Sequence, residues 1–151
     1  MKKHLKLISI FICLLLLITS LCSCSQKREK IVDVISTATS VFINGEQNET
    51  VEASMGAFKG KQGDSIEFRF EEPQEFNTVF ITEITATVRQ FNIFAEIDGK
   101  FQLIYTGKLI TAENITFETV TATAFKFTVV NTEIGSDEFV IQSISAYNDC
   151  H

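Results

Sequence analysis

Hydrophobic and polar positions alternate with period two along much of the chain, most plainly in SIEFRF, where Ile66, Phe68 and Phe70 share one face and Glu67 and Arg69 the other. Strands alternate this way when one face is buried. The same phase puts Phe91, Ile93, Ala95 and Ile97 together in FNIFAEI, Phe101, Leu103 and Tyr105 in FQLIYT, and Phe125, Phe127 and Val129 in AFKFTVV. Asp98-Gly99 separates two of these stretches, and both residues tolerate the positive φ that tight primed turns require, so a β-hairpin is expected there. Further strands are predicted at Val32 to Thr37, Val41 to Asn44, Asn77 to Glu83, Asn114 to Phe117 and Phe139 to Tyr147. No window has convincing helical periodicity, and the abundance of Thr, Val, Ile and Phe suits a pleated, half-buried surface. Eight to ten short strands in about 128 residues predict one all-β domain, a sandwich or a barrel. Pro73 is expected in a turn after Glu71-Glu72, where it breaks no ladder. The longest stretch without a predicted strand, Gly45 to Asp64, holds four glycines and is the first place to expect a binding loop.

The first thirty residues stand apart from this pattern. Lys2, Lys3 and Lys6 precede an apolar run from Leu7 to Leu21, which reads as a secretory leader over residues 1–23. A membrane-spanning helix is the competing reading, but it needs about 20 apolar residues and the run is shorter. The leader ends in Leu21-Cys22-Ser23-Cys24, which resembles the bacterial lipobox. That resemblance implies lipidation of Cys24. The alternative is ordinary cleavage near Ser23. Two acyl chains on one sulfur satisfy what stable anchoring needs, at about 0.8 kcal/mol for each buried methylene. Ser25 to Lys30 then forms a polar tether, and the folded domain is expected over residues 31–151, outside the membrane.

Composition narrows the chemistry. Losing the three leader lysines leaves ten basic residues against nineteen acidic ones, about minus nine, which argues against nucleic acid and anionic lipid as partners. With Cys13 and Cys22 in the leader and Cys24 lipidated, Cys150 is the remaining thiol, so no disulfide framework is available. His4 and His151 lie at the extremes of the chain, which leaves no histidine to pair with a nucleophile or to bind zinc. Glu71-Glu72 and Asp137-Glu138 are neighbours with side chains that diverge. A glycosidase needs two carboxyls about 5 to 9.5 Å apart across a cleft. These observations favour recognition over catalysis.

The order of the pieces GDSIEFRFEEPQEFNTVFITE, VRQFNIFAEIDGKFQLIYTGKLI and ITFETVTATAFKFTVV, closed by a strand ending at Ala146-Tyr147, resembles the discoidin or coagulation-factor type C domain. It is most similar to the version found in family 32 carbohydrate-binding modules and at the C-terminus of α-L-fucosidases. The resemblance covers Gly63 to Tyr147 and implies the galactose-binding-like fold, an antiparallel jelly-roll β-sandwich. It implies ligand contact at the loops of one rim, Gly45 to Asp64, Glu83 to Gln90 and Asn131 to Asp137, with Asn48, Phe58, Glu83, Arg89 and Asn131 as candidate sugar-binding residues. Each has a structural alternative: Phe58 as a lid over the core, Arg89 paired with a neighbouring acid, Asn131 shaping its turn. Asn44-Gly45 resembles the family's calcium loop, so Asn44 is a candidate ligand for a structural Ca²⁺, an ion that takes six to eight oxygens. Phe101 stands where the family often has tryptophan, Thr85-Ala86-Thr87 replaces a longer turn, and Ser143 stands where relatives carry a calcium-binding glutamate. The expected partner is a glycan; an envelope protein docking on a sandwich with an eroded sugar rim is the alternative.

Overall fold

Strand-forming sequence is continuous enough that two strands of 19 residues, β4 (Ser65–Glu83) and β7 (Asn114–Thr132), dominate the structure. The computed structural model describes residues 31–149. The leader, Cys24, the tether to Lys30, Cys150 and His151 therefore lie outside the described residues. Around the long pair stand β1 (Ser40–Ile43), β2 (Glu46–Asn48), β3 (Phe58–Gly60), β5 (Val88–Ile97), β6 (Lys100–Gly107) and β8 (Phe139–Tyr147), with a short helix α1 (Val51–Ser54) between β2 and β3.

All pairings are antiparallel. Residues 66–69 of β4 pair with β1 and 65–69 with 124–128 of β7, whereas residues 74–80 pair with 114–122 of β7 and 78–83 with β8. Each long strand thus serves both layers, one ordered β2-β1-β4-β7-β5-β6 and the other β7-β4-β8-β3. The crossing is marked by register shifts between Arg69 and Gln74 and between Phe76 and Thr78. Such irregularities bend a strand sharply. Pro73 sits in the first of them, inside the strand and not in a turn, where its missing N–H costs no ladder bond.

The inward faces build one core. Phe68, Phe76, Phe91, Phe125, Phe127 and Phe139 are fully buried. Phe125 lies against Phe68 and Phe76, and Phe127 lies against Phe91 and Phe58, with ring centroids 5.4 to 6.2 Å apart. These separations suit the aromatic quadrupole, and each such pair contributes about 0.5–1.5 kcal/mol beyond its buried area. The predicted inward residues of SIEFRF, FNIFAEI and AFKFTVV do face this core. The hairpin also forms as expected, with Asp98 at φ 52° and Gly99 at φ 73°.

Four local expectations change. Val34–Thr37 is a 3-10 turn in place of a strand, because the Asp33 carboxylate accepts from the N–H groups of both Ile35 (3.1 Å) and Ala146 (2.9 Å) and starts the turn there. The segments at 114–117 and 125–130 are parts of one strand, as are 65–70 and 77–83. In β6 a register shift opposite Ile93 and Phe94 makes Ile104 the extra residue. Tyr105 packs against the core, while Phe101 and Leu103 turn to the outer face. Finally, Gly45 to Asp64 is no long loop, since it contains β2, α1 and β3, and β3 pairs with β8.

Gly56 ends α1 against β8 at φ 79°, and a Cβ there would stand 2.5 Å from the backbone nitrogen of Ile144. Left-handed backbone costs a non-glycine residue about 1–2 kcal/mol before any clash. Gly56→Ala should destabilise the domain by at least about 2 kcal/mol in urea unfolding, the backbone term plus overpacking. An unchanged midpoint would mean that the 45–64 segment is not docked on β8.

Candidate functional site

Register places the 98–99 turn at one end of the six-stranded layer, and places residues 44–45, 61–64, 84–87, 108–113 and 133–138 towards the other. Most sequence-predicted site residues belong to this second end, and their side chains hold it together. Glu83 ends β4, and its Oε1 accepts from Thr87 N (2.7 Å), Val88 N (3.0 Å), Thr85 Oγ1 (2.8 Å) and Thr87 Oγ1 (3.1 Å). One carboxylate oxygen thereby organises the whole 84–87 turn. That turn is tied to the next rim loop, where Glu133 N donates to Thr87 O (2.7 Å), and to β8, where Val140 N donates to Thr85 Oγ1 (3.1 Å). Arg89 Nη1 donates to Ala86 O (2.9 Å) and Val88 O (3.2 Å), and its Nη2 lies 3.0 Å from a Glu133 carboxylate oxygen. Glu83 and Arg89 are thus brought close in sequence and space, as frame members of the rim.

The other candidates separate. Phe58 is 6% exposed and packs edge-on to Phe139, with centroids 5.2 Å apart; it belongs to the core, because its place on β3 faces the sandwich interior. Asn48 lies at the end of edge strand β2, where its Oδ1 accepts from Thr50 N (2.9 Å) and shapes the entry to α1. Asn131 is exposed on β7 opposite Gln90. Asn44 adopts φ 53°, accepts from Ser65 N on its Oδ1 (2.8 Å) and donates from Nδ2 to Asp64 Oδ1 (2.9 Å). Asp64 Oδ2 in turn accepts from Lys61 N (2.7 Å). These atoms form a closed polar clasp between the β1–β2 and β3–β4 connections. Among the described residues no group of three or more His, Cys, Asp or Glu side chains is arranged to hold a metal ion. The Asn44, Asp64 and Ser143 side chains, bonded to neighbouring groups, do not assemble the six to eight convergent oxygens that a calcium ion takes. Ser143, at the position matched to a calcium-binding glutamate, shares a 2.7 Å hydroxyl contact with Thr82.

A second surface was missed by sequence reasoning. On the outer face of the six-stranded layer, cross-strand neighbours place Glu67 next to Lys126 and Lys126 next to Phe94, then Leu103; the adjacent row runs Arg69, Ala124, Glu96, Phe101. Arg69 Nε lies 2.7 Å from Glu67 and Nη1 lies 3.1 Å from Glu96, while the guanidinium sits 5.7 Å from the Phe42 ring centroid. Lys126 Nζ is held 4.9 Å over the Phe101 ring, with Glu67 at 4.0 Å. A shallow groove of about 240 Å³ runs between Phe94, Phe101, Lys126, Ser65, Thr128 and Gly63. A cavity of similar volume, about 240 Å³, lies under the 108–113 segment against Ile81, Phe91 and Tyr105. The available signal for the groove was an aromatic residue in the polar phase: Phe94 alternates out of step with Phe91, Ile93 and Ala95. Glu67 and Glu96 flank a single guanidinium and do not face one another across an open cleft.

No family model matches the chain, and no curated protein matches it in sequence. Solved structures do share the fold. A family 32 carbohydrate-binding module from C. perfringens NanJ, solved with galactose, superposes with a TM-score of 0.62 at 13% identity over 79% of this chain and 100% of the module. The family 32 module of AlyQ, solved with 4,5-unsaturated mannuronic acid, gives 0.60 at 14% identity over 80% of this chain and 100% of the module. A putative α-L-fucosidase from Bacteroides thetaiotaomicron gives 0.53 at 26% identity over 62% of this chain, which spans 22% of that protein. The chain likewise spans 28% of SpGH29 and 16% of a Bacteroides ovatus putative α-L-fucosidase. The architecture is therefore the discoidin-type, galactose-binding-like sandwich.

Glu83→Ala would leave the Thr87 and Val88 amides without their acceptor, a loss of about 1–3 kcal/mol. Amide exchange at Thr87 and Val88 should accelerate far more than at Phe127. Unaltered exchange would mean that the Glu83 carboxylate is free to meet a ligand.

Proposed function

We propose that this chain is a non-catalytic carbohydrate-binding module carried on a bacterial lipoprotein, tethered through Cys24 to the outer side of the cell membrane. The observation that carries the binding reading is the extent of the structural likeness: the sandwich covers the NanJ and AlyQ modules over 100% of their length, and those modules were solved with galactose and with 4,5-unsaturated mannuronic acid. Such a module holds a sugar through its hydroxyls and one C–H face and needs no reactive group. That agrees with a described chain in which no histidine or cysteine occurs and the carboxylates nearest a groove are held by arginine. The anchor reading rests on Lys2, Lys3 and Lys6, the apolar run and Leu21-Cys22-Ser23-Cys24, with Ser25 to Lys30 as the tether.

A second reading has its own support. The rim residues with sugar-binding chemistry, Glu83 and Arg89, are committed to neighbouring loop atoms, and Phe58 is in the core. A sandwich with such a rim also suits docking onto another envelope protein.

A glycan array probed with the 31–151 fragment separates the two readings. That fragment is one compact unit, and the core of the described residues lies between Val34 and Ala146. Selective binding to one sugar class is the expected result; silence across the array, with calcium added, favours protein docking. For the anchor, Cys24→Ser should move the protein from the membrane fraction to the medium and abolish incorporation of labelled fatty acid. Retention in the membrane with no label lost would overturn lipidation at Cys24.

A further inference from the structure

We infer that the sugar is held on the outer face of the six-stranded layer, by the groove between Phe94 and Phe101, and that it is a neutral pyranose. This rests on the carbohydrate-binding reading and names the surface and ligand chemistry for it.

The groove offers what a pyranose presents. A sugar ring has an apolar C–H face and a fringe of hydroxyls. Phe94 and Phe101 supply aromatic surface at half-buried positions on neighbouring strands, with Lys126 Nζ over one face of the Phe101 ring; Ser65 and Thr128 in the lining add hydroxyls, and the Lys126 ammonium supplies donors. Lys126 is only partly committed, because Arg69 approaches Glu67 to 2.7 Å while Lys126 lies 4.0 Å from it. Its side chain keeps 31% of its exposure. The face is already positioned: the aromatic residues ride on paired strands and Lys126 rises from the strand between β4 and β5, so little order is lost on binding.

Size and charge select among occupants. A groove of about 240 Å³ falls below the ~300–1,000 Å³ typical of drug-sized sites, which suits one sugar ring with the rest of a glycan extending into solvent. Glu67, Glu96, Arg69 and Lys126 sum to no net charge, so the face has no excess cation to attract a uronate or sulfate. The acidic chain as a whole, at minus six, repels polyanions. A protein partner, or a second copy of this chain, would cover the Arg69 and Lys126 side chains, which are still 42% and 31% exposed, and strip their water, which desolvation makes unfavourable unless each cation is re-paired. Sugar hydroxyls can replace that water one hydrogen bond at a time.

The test takes the 31–151 fragment and three single variants, Phe101→Ala, Lys126→Gln and Asn131→Ala, first over the glycan array and then by calorimetry with the monosaccharide that terminates the strongest neutral hit. Phe101 and Lys126 lie outside the core, and circular dichroism checks that each variant keeps its sheet. Phe101→Ala should weaken binding about tenfold or more, as loss of an aromatic anchor does. Lys126→Gln should weaken it several-fold, and Asn131→Ala should bind as the parent does. Should Phe101→Ala misfold, Lys126→Gln carries the result alone. Binding lost in Asn131→Ala but retained in both face variants would overturn the inference and leave the glycan reading standing, with the sugar at the rim. A hit confined to acidic glycans would overturn the choice of a neutral ring. No binding to any sugar would overturn the inference together with the reading beneath it.

Discussion

Phe68, Phe76, Phe125 and Phe127 lie on the two strands that run through both layers, and their rings meet partners from either side of the bend. That shared interior is the constraint on which the rest depends. With β4 and β7 crossing between layers, the two sheets cannot slide independently. A one-residue slip in either strand would turn that strand's own inward phenylalanines to water. The bend itself is made by irregular pairing around Pro73 and Phe76, so the same features that interrupt the ladder close the core.

Fixing the interior also fixes what faces out. Because Ile66, Phe68, Phe125, Phe127, Ile93 and Ala95 point inward, Glu67, Arg69, Lys126, Phe94 and Glu96 must share the opposite face. The bulge at Ile104 adds Phe101 and Leu103 to that face while keeping Tyr105 against the core. The groove is thus a consequence of register and not of loop conformation. The rim follows a different logic, with Glu83, Arg89, Asn44 and Asp64 closing loops on one another.

Much of the architecture was legible from alternation alone. Phe91, Ile93, Phe125, Phe127 and the Asp98-Gly99 turn behave as their spacing dictates, because a half-buried strand leaves a strong period-two signal. Alternation failed where the backbone departs from period two. The Ile104 bulge inverted Phe101 and Leu103, and Asp33 turned Val34–Thr37 into a 3-10 turn by bonding to a strand over a hundred residues away. β2, α1 and β3 escaped notice between Gly45 and Asp64 because elements of three or four residues carry too few positions to show a period. The site was less legible than the fold. Residue type marked Glu83, Arg89 and Asn44 as able to bind a ligand, yet type cannot reveal that nearby N–H and C=O groups already occupy them. Phe94 and Lys126 come together only through strand order, which no local pattern encodes.

The most direct measurement is a crystal structure of the 31–151 domain with the bound monosaccharide. The account predicts the sugar ring against Phe94 and Phe101 with a hydroxyl within reach of Lys126 Nζ. A sugar seated instead among the 84–87 and 133–138 loops, with the outer face bare, would contradict it.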